Sequence, residues 1–505
     1  MILLICPCLT TVATAAEHNA SFAAALESIS VDQLKDHVGY LADDKLKGRE
    51  AGRAGGRAAG QYLADRFEKL KLQTAGDGDT FFQNFSGRYR NVVALLEGSD
   101  EQLRREVIVI GAHYDHVGFG NESNSRGPIG RIHNGADDNA SGTAAVMELA
   151  EAFTMLAEPP RRSIVFIGFD AEEKGLFGSQ HWCKQPTVDR DRLAAMINLD
   201  MVGRLRDDRL CVFGSRTGIG LRRLISRQNE DLKLSFSWEM KAKADHYPFF
   251  KRNVPTLMFN TGLHDVYHTP KDDAHLINNA GMQRVTRFVF EVAHELAQRD
   301  DLPGFRQQAG AETETTRKRL ERPAAKPPGR LGVGWNNDAP PGVGLLLAVF
   351  SPDSAAGKGG LQAGDRIIKF AGRQIDQGDQ LRSAVLAAAN PVETIVQRSL
   401  DEEPITLDIE LTGKPVRLGI SWRVDPAEPG TIILTRVMAG SPAAKAGLQF
   451  GDRIYRLGGK EFADEAEFLE LVAEKDDPLE IHVERDGQMF TVTVYFEAKP
   501  PRREV

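Results

Sequence analysis

Acidic and imidazole side chains gather in five short segments of this chain: His113-Tyr114-Asp115, Asp137-Asp138-Asn139, Asp170-Ala171-Glu172-Glu173, Asn198-Leu199-Asp200 and Tyr267-His268. Each has an ordinary reading on its own. An Asp or Asn ahead of a helix is an N-cap, a Glu pair after a strand is a solvated turn, and a His behind an apolar run is a packed or surface residue. Together they are harder to explain, because carboxylates crowded at one edge repel unless cations hold them. Two divalent ions would account for the cluster. Oxygen and imidazole donors suit Zn2+ in an open catalytic site, and Mn2+ or Co2+ are compatible with the same ligand types. Thiolate is scarce: Cys6, Cys8, Cys183 and Cys211 are the only four cysteines, too few for a thiolate cluster or a disulfide scaffold. Cys183 and Cys211 either pair or remain two thiols.

The apolar pattern shows which elements would bring these segments together. Strand candidates are residues 91–96, 107–110, 164–169, 194–199 and 254–259. VIVI runs into Gly111-Ala112-His113, IVFIGF into Asp170, AAMINL into Asp200, and TLMF leads through a short loop to Tyr267-His268. Val146, Leu149, Phe153 and Leu156 recur at helical spacing until Pro159-Pro160 stops them, and a second helix spans about 282–297. Strand runs alternating with helices predict an α/β fold whose mostly parallel central sheet carries helices on both faces. In such sheets ligands sit at the carboxyl ends of the strands. Four strand ends and the start of the helix after Asn139-Ala140-Ser141 should therefore converge.

Taken in order, His113-x-Asp115, the GADDNASG segment, the Glu172-Glu173 pair, Asn198-Leu199-Asp200 and Tyr267-His268-Thr269 resemble a known family, over about residues 30 to 300. It is that of the co-catalytic di-zinc exopeptidases related to bacterial leucyl aminopeptidase, aminopeptidase S and glutamate carboxypeptidase. The resemblance implies two Zn2+ per chain, with Asp138 bridging them, His113 and Asp200 completing one site, and Glu173 and His268 the other. Asp137 is the alternative bridge, but the family's bridging Asp directly precedes the residue matching Asn139. Glu172 would be the general base, Tyr267 the donor to the oxyanion, and Asp115 the residue that orients the His113 ring. The implied reaction is peptide-bond hydrolysis at a chain end, most simply as an aminopeptidase. Paired metals activate water and polarise the carbonyl, Glu172 carries a proton from water to the leaving amine, and the Tyr267 phenol stabilises developing charge.

His116, His133, His246, His264 and His275 lie close to these segments, and a shift of one residue in the assignment would promote any of them. His246, in Asp245-His246-Tyr247-Pro248-Phe249, matches a segment that lines the site in relatives. The family's glutaminyl cyclase branch keeps a single zinc, so His113 together with Asp138 favours a peptidase. Residues 91–115 leave no room for a protease-associated insert.

At roughly 150 residues per domain, 505 residues suggest about three domains. Residues 1–16, uncharged, apolar from Ile2 to Leu9 and ending near Ala13-Thr14-Ala15, read as a secretory signal peptide. Residues 17–300 are the expected peptidase domain. Residues 301–329 mix charge, Pro and Gly without apolar periodicity and predict an exposed linker. Residues 330–414 and 415–498 are tandem copies of one small β-rich domain: AGKGGLQAGDRI matches AAKAGLQFGDRI, Leu361 pairing with Leu448, 87 residues on. The same offset aligns Leu331-Gly332-Val333 with Leu418-Gly419-Ile420 and Trp335 with Trp422. Both copies resemble PDZ domains of the bacterial exported type, and these tripeptides look like the loop that binds a C-terminal carboxylate. Arg330 and Arg417 precede the two loops. The resemblance implies peptide or protein C-termini as partners, added as a strand to the sheet edge; the plainer alternative is a module used only for packing.

A composition of 41% hydrophobic and 27% charged residues is that of a globular chain. A net charge of −8, with no basic stretch, argues against a nucleic-acid partner. No apolar run approaches the ~20 residues of a membrane span. The expectation is thus an exported zinc exopeptidase acting on peptide or protein substrates. The competing readings are a PDZ adaptor with an inactive peptidase domain, and a glutaminyl cyclase.

Overall fold

Runs that are apolar on both faces form the middle of the sheet. The computed structural model describes residues 15–240, 243–325, 329–336, 344–399, 401–415, 418–473 and 477–496. Most of the expected signal peptide, with Cys6 and Cys8, and also Arg417 lie outside the described residues. The chain divides into two units, the first running to Thr315 and including Asp486–Gln488, the second comprising Thr316–Arg485 and the residues from Met489 on.

Among the described residues, the strands of the first unit are β1 (Gln73–Thr74), β2 (Phe82–Phe85), β3 (Tyr89–Leu96), β4 (Val107–His113), β5 (Ser163–Phe169), β6 (Leu193–Leu199), β7 (Arg209–Phe213), β8 (Lys233–Ser237) and β9 (Thr256–Asn260). They form one sheet in the order β1-β3-β5-β4-β6-β9-β7-β8, with β2 on β3. The central four, β5, β4, β6 and β9, are parallel; antiparallel pairing begins at β3 on one side and β7 on the other. Both β4 and β5 are buried along their whole length, as strands covered on both faces must be. Parallel register sets His113 opposite Phe169 and Gly111 opposite Asn198. The carboxyl ends of β4, β5 and β6 therefore finish level.

The helices of this unit are α1 (Ala15–Ser28), α2 (Val31–Leu41), α3 (Ala54–Lys69), α4 (Gly142–Thr154), α5 (Phe177–Lys184), α6 (Leu221–Arg227), α7 (His246–Phe250) and α8 (Asn279–Gln298). Alternate strand residues divide them between two cores. Ile108, Ile110, Ile164 and Phe166 face α1 to α4, α6 and α8, whereas Val107, Val109, Val165 and Ile167 face Trp182 of α5 and Phe249 of α7. Helix α4 is buried almost all round, as expected of a helix apolar on every side. Helix α8 buries one stripe, Met282, Val285, Val289, Val292 and Leu296, and is started by Asn278, whose side chain accepts the Gly281 N–H at 2.9 Å. Cys183 and Cys211 are thiols, not a disulfide. No helix among the described residues is long and apolar enough to cross a membrane.

The expected linker needs correction. Arg306 is buried, its N–H donating to Thr217 and its guanidinium to the Arg216 carbonyl, and both arginines pair with Glu312 at 2.7–3.1 Å. Residues up to 315 thus complete the first unit. Further on, Glu321 meets the buried Arg453 at 3.3 Å, and the Ala324 N–H donates to the Thr435 carbonyl at 3.0 Å. Few apolar residues take part, which is why the pattern looked like a solvated tether.

In the second unit the strands are β10 (Val333–Trp335), β11 (Leu345–Phe350), β12 (Arg366–Phe370), β13 (Arg373–Gln374), β14 (Val392–Gln397) and β15 (Ile405–Ile409), then β16 (Ile420–Asp425), β17 (Glu428–Val437), β18 (Arg453–Leu457), β19 (Lys460–Glu461), β20 (Leu479–Arg485) and β21 (Gln488–Val494). The two sheets share one topology, β10-β11-β12-β14-β15 and β16-β17-β18-β20-β21, each with its own apolar core. The sequence repeat is therefore a repeat of fold.

Candidate metal centre

His113 ends β4, Glu172 and Glu173 follow β5, Asp200 follows β6, His268 lies in the loop after β9, and Asp138 sits in the turn Ala136–Ser141 that enters α4. The structure brings all of them together. Asp138 stands in the middle, its two oxygens facing different partners: Oδ1 is 3.3 Å from His113 Nε2, and Oδ2 is 2.9 Å from His268 Nε2. His113 Nε2 is also 3.7 Å from Asp200 Oδ1, and His268 Nε2 is 3.2 Å from Glu173 Oε1. Bonds of about 2.0–2.2 Å to one tetrahedral zinc place neighbouring ligands roughly 3.3 Å apart. The separations suit one ion among His113, Asp138 and Asp200, and a second among Asp138, Glu173 and His268. His116 belongs to the second group as well, its Nδ1 lying 2.8 Å from Glu173 Oε1.

The neighbouring carboxylate, Asp137, is turned away. Its Oδ1 accepts the Gly203 N–H at 2.7 Å and the Ser141 hydroxyl at 3.2 Å, and its Oδ2 lies 3.2 Å from His264 Nε2. Asp272 holds the turn from behind by accepting the N–H groups of Asp137 and Asp138 at about 3.1 Å. Burial pushes the Asp272 carboxyl up to about 7. Arg49 is fully buried and donates to the carbonyls of Leu41, Tyr114, Asn134 and Gly135, tying the β4 end to the segment that leads into the Asp138 turn. Arg49 and Asp272 carry no signal in the sequence. Neither lies in a run with periodicity, and a buried Arg among carbonyls leaves no local signature.

Asp115 meets the His113 ring chiefly through its backbone. The His113 ring offers Nδ1 to the Asp115 backbone carbonyl at 3.2 Å, while the carboxylate, 3.8 Å away, receives the N–H groups of Glu172 at 3.0 Å and Glu173 at 3.4 Å. It orients the Glu pair more than the ring. Tyr267 stacks on His268 with ring centroids 3.9 Å apart and lies under the Arg126 guanidinium at 4.7 Å. Of the other histidines, His133 bonds Ser125 and the Arg131 carbonyl, His246 is fully buried, and His275 stands in solvent near Asp273.

The two adjacent glutamates are pushed in opposite directions. Burial drives the Glu172 carboxyl well above the usual range; nearby His113 pulls it back, and Glu173, Asp245 and Asp200 add to the rise. Burial and Asp138 would raise Glu173 too, but hydrogen bonds from His116 and His268 outweigh them and hold it at about 2. Divergence of two carboxyls in this way separates a proton carrier from a permanent anion. Burial, and then the surrounding carboxylates, raise the Tyr267 phenol and keep it protonated.

In the repeat, Leu331 and Leu418 are buried in the two cores, and Gly332 and Gly419 take φ of +76° and +77°. A Cβ on either Gly would strike Ser354 or Ser441, the residues that cap the next helix. Val333 and Ile420 pair with Phe350 and Val437. The Arg330 guanidinium donates to the carbonyls of Val385, Leu386 and Gly413.

Residues 91–293 match the model of Peptidase family M28, and residues 348–398 and 416–495 match models of the PDZ domain. The chain is 33% identical over 198 residues to a "Probable zinc metalloprotease" of Pyrenophora teres f. teres, a match covering 35% of this chain and 40% of that protein. It is 27% identical over 210 residues to "Aminopeptidase YwaD" of Bacillus subtilis, covering 39% and 43%. Its fold is similar to that of the LapA aminopeptidase of Legionella pneumophila, with 22% identity, a TM-score of 0.47, and coverage of 58% of this chain and 79% of the other. The chain spans about two fifths of the length of the curated relatives it matches.

Proposed function

We propose that this chain, which carries a Peptidase family M28 domain followed by two PDZ domains, is an exported zinc exopeptidase of aminopeptidase type that holds two Zn2+ at Asp138. The observation that carries the reading is the placement of Asp138, with one oxygen toward His113 and Asp200 and the other toward His268 and Glu173. His113, Asp138 and Asp200 would hold one ion, and Asp138, Glu173 and His268 the other. When bound, such a pair supplies Lewis acidity toward the scissile carbonyl and the attacking water.

The remaining work falls to the chain itself. Glu172, raised by burial, takes a proton from the attacking water and delivers it to the leaving amine nitrogen. Asp115 fixes the backbone that carries it. The protonated Tyr267 phenol donates to the carbonyl oxygen as charge develops there. Export rests on the apolar, uncharged residues 2–9 with Ala13-Thr14-Ala15. The PDZ domains bind peptide or protein C-termini, for which the left-handed Gly332 and Gly419 support the loop conformation.

The test is hydrolysis of one peptide sequence with free, N-blocked and C-blocked ends by the zinc-loaded chain. An aminopeptidase loses activity only when the amino end is blocked. Loss only on blocking the carboxyl end reverses the polarity, and cyclisation of N-terminal Gln peptides without hydrolysis assigns a glutaminyl cyclase. Full zinc content with no turnover of any peptide leaves the adaptor reading.

A further inference from the structure

Three imidazoles reach the carboxylate cluster, and the partners of their ring nitrogens divide them into two kinds. His113 offers Nδ1 to the Asp115 carbonyl at 3.2 Å, and His268 offers Nδ1 to the Asn124 carbonyl at 2.7 Å. A carbonyl can only accept, so both rings carry a proton on Nδ1 and turn Nε2 toward the carboxylates, the nitrogen that donates to them when protonated and whose lone pair an ion would take when it is not. His116 is reversed. Its Nδ1 is the atom that meets the cluster, 2.8 Å from Glu173 Oε1, and its Nε2 is buried without a hydrogen-bond partner.

The proton therefore has one good place on this ring. On Nε2 it would be a buried donor lacking an acceptor, its desolvation left uncompensated. On Nδ1 it makes a charge-assisted bond to a carboxylate. The two nitrogens of an imidazole point in diverging directions, so the Nε2 lone pair does not face the oxygen that Nδ1 meets. Nor can the ring swing. A Cβ at Gly135 would lie 2.4 and 2.6 Å from His116 Cδ2 and Cγ, which shows how closely that backbone lies against the ring. The ring's other neighbour is His268, in a T-shaped contact with centroids 5.5 Å apart. His116 is fully buried, and its N–H is bonded to the Arg49 carbonyl at 3.2 Å.

We propose that His116 is a positioning residue: it donates Nδ1–H to Glu173 Oε1 and holds that carboxylate toward His268, setting the metal affinity of the Asp138, Glu173 and His268 site without ligating the ion. This rests on the two-metal reading given above. Without the donor, Glu173 is free to rotate, and its second oxygen competes for the same place.

Zinc affinity of the full chain, measured by competition with a chromophoric chelator, separates the possibilities in His116→Ala, His116→Asn and His116→Gln. The Asn amide nitrogen falls where Nδ1 sits and donates in the same direction, yet it is a very weak zinc ligand; the Gln amide reaches the Nε2 position. His116→Ala should weaken one of two zinc sites about 10- to 100-fold, the range for removing a hydrogen-bond partner of a ligand. His116→Asn should restore it to within a few-fold, and His116→Gln should not. Equal loss in the Ala and Asn variants would overturn the proposal in favour of direct ligation, and unchanged affinity in His116→Ala would overturn it outright. If His116→Ala does not fold, the contrast between Asn and Gln decides alone. Weak or absent zinc in the unmodified chain would instead defeat the function proposed above.

Discussion

Gly135→Ala should cripple the site through one methyl group. Gly135 has φ +56°, and an added Cβ would stand 2.2 Å from the Asp138 carbonyl oxygen as well as against the His116 ring. Carbon and oxygen do not approach so closely, and relief to ordinary contact near 3.5 Å demands a shift of about 1.3 Å. The atom that must give way is the backbone of Asp138, the residue shared by the two candidate metal-binding groups. The left-handed conformation adds about 1–2 kcal/mol for any L-residue. That second cost can be isolated, because Gly87 has φ +68° and a Cβ added there would meet nothing within 4 Å. Gly87→Ala should lower thermal stability slightly and leave kcat/KM unchanged. Gly135→Ala should lower kcat/KM on an aminoacyl chromogenic substrate about 10²-fold, the effect of a 1 Å misplacement of reacting groups, at saturating zinc. If the two variants differ by less than about threefold, the turn has slack, and the argument that Arg49 and Asp272 hold Asp138 rigidly is refuted.

Glu172→Gln should keep both ions and lose about 10²- to 10⁴-fold in kcat, whereas Glu173→Gln should lose zinc; metal analysis beside turnover checks the pair, and the opposite pattern means the roles are exchanged. A chain ending at residue 315 should bind zinc and cleave a small substrate as the full chain does, whereas one ending at 300 strips Glu312 from the buried Arg216 and should be less stable by roughly 3 kcal/mol, at the low end for breaking a buried pair, as read by denaturant unfolding. Glu291 on α8 is raised by burial to about 7, with Glu230 and Asp231 adding to the rise. The folded state then keeps a proton that the unfolded chain releases near pH 4.5, so its contribution is full below that pH and is lost as pH rises through 7. Glu291→Gln should therefore raise the Tm at pH 8 and leave it unchanged at pH 4, and an equal rise at both would refute the assignment.

What the sequence determined was whatever neighbours within a turn or a strand can report. β4 and β5 were legible because strands buried on both faces must be continuous apolar runs, and α8 because a half-buried helix repeats its apolar residues every three to four positions. The tandem repeat was legible because it compares the chain with itself. The five acidic and imidazole segments could be named for the same reason: four directly follow a strand or open a helix, and Tyr267-His268 lies one short loop beyond β9. Residue types alone left Asp137 and Asp138 as rivals. In the tertiary structure Asp137 is claimed by groups 66 and 127 residues further on, at Gly203 and His264, and Asp138 is the one that faces His113 and His268. Arg49 reaches carbonyls 65 to 86 residues away, Arg306 is buried by polar contacts with a half-buried Glu312 in a stretch whose pattern is that of a tether, and Arg330 is taken up by the carbonyls of Val385 and Leu386. Hydrophobic periodicity carries no trace of such partners. A buried charge or polar group is stable only where the fold supplies its hydrogen bonds, and in this chain those bonds come from segments that meet only after the sheet has formed.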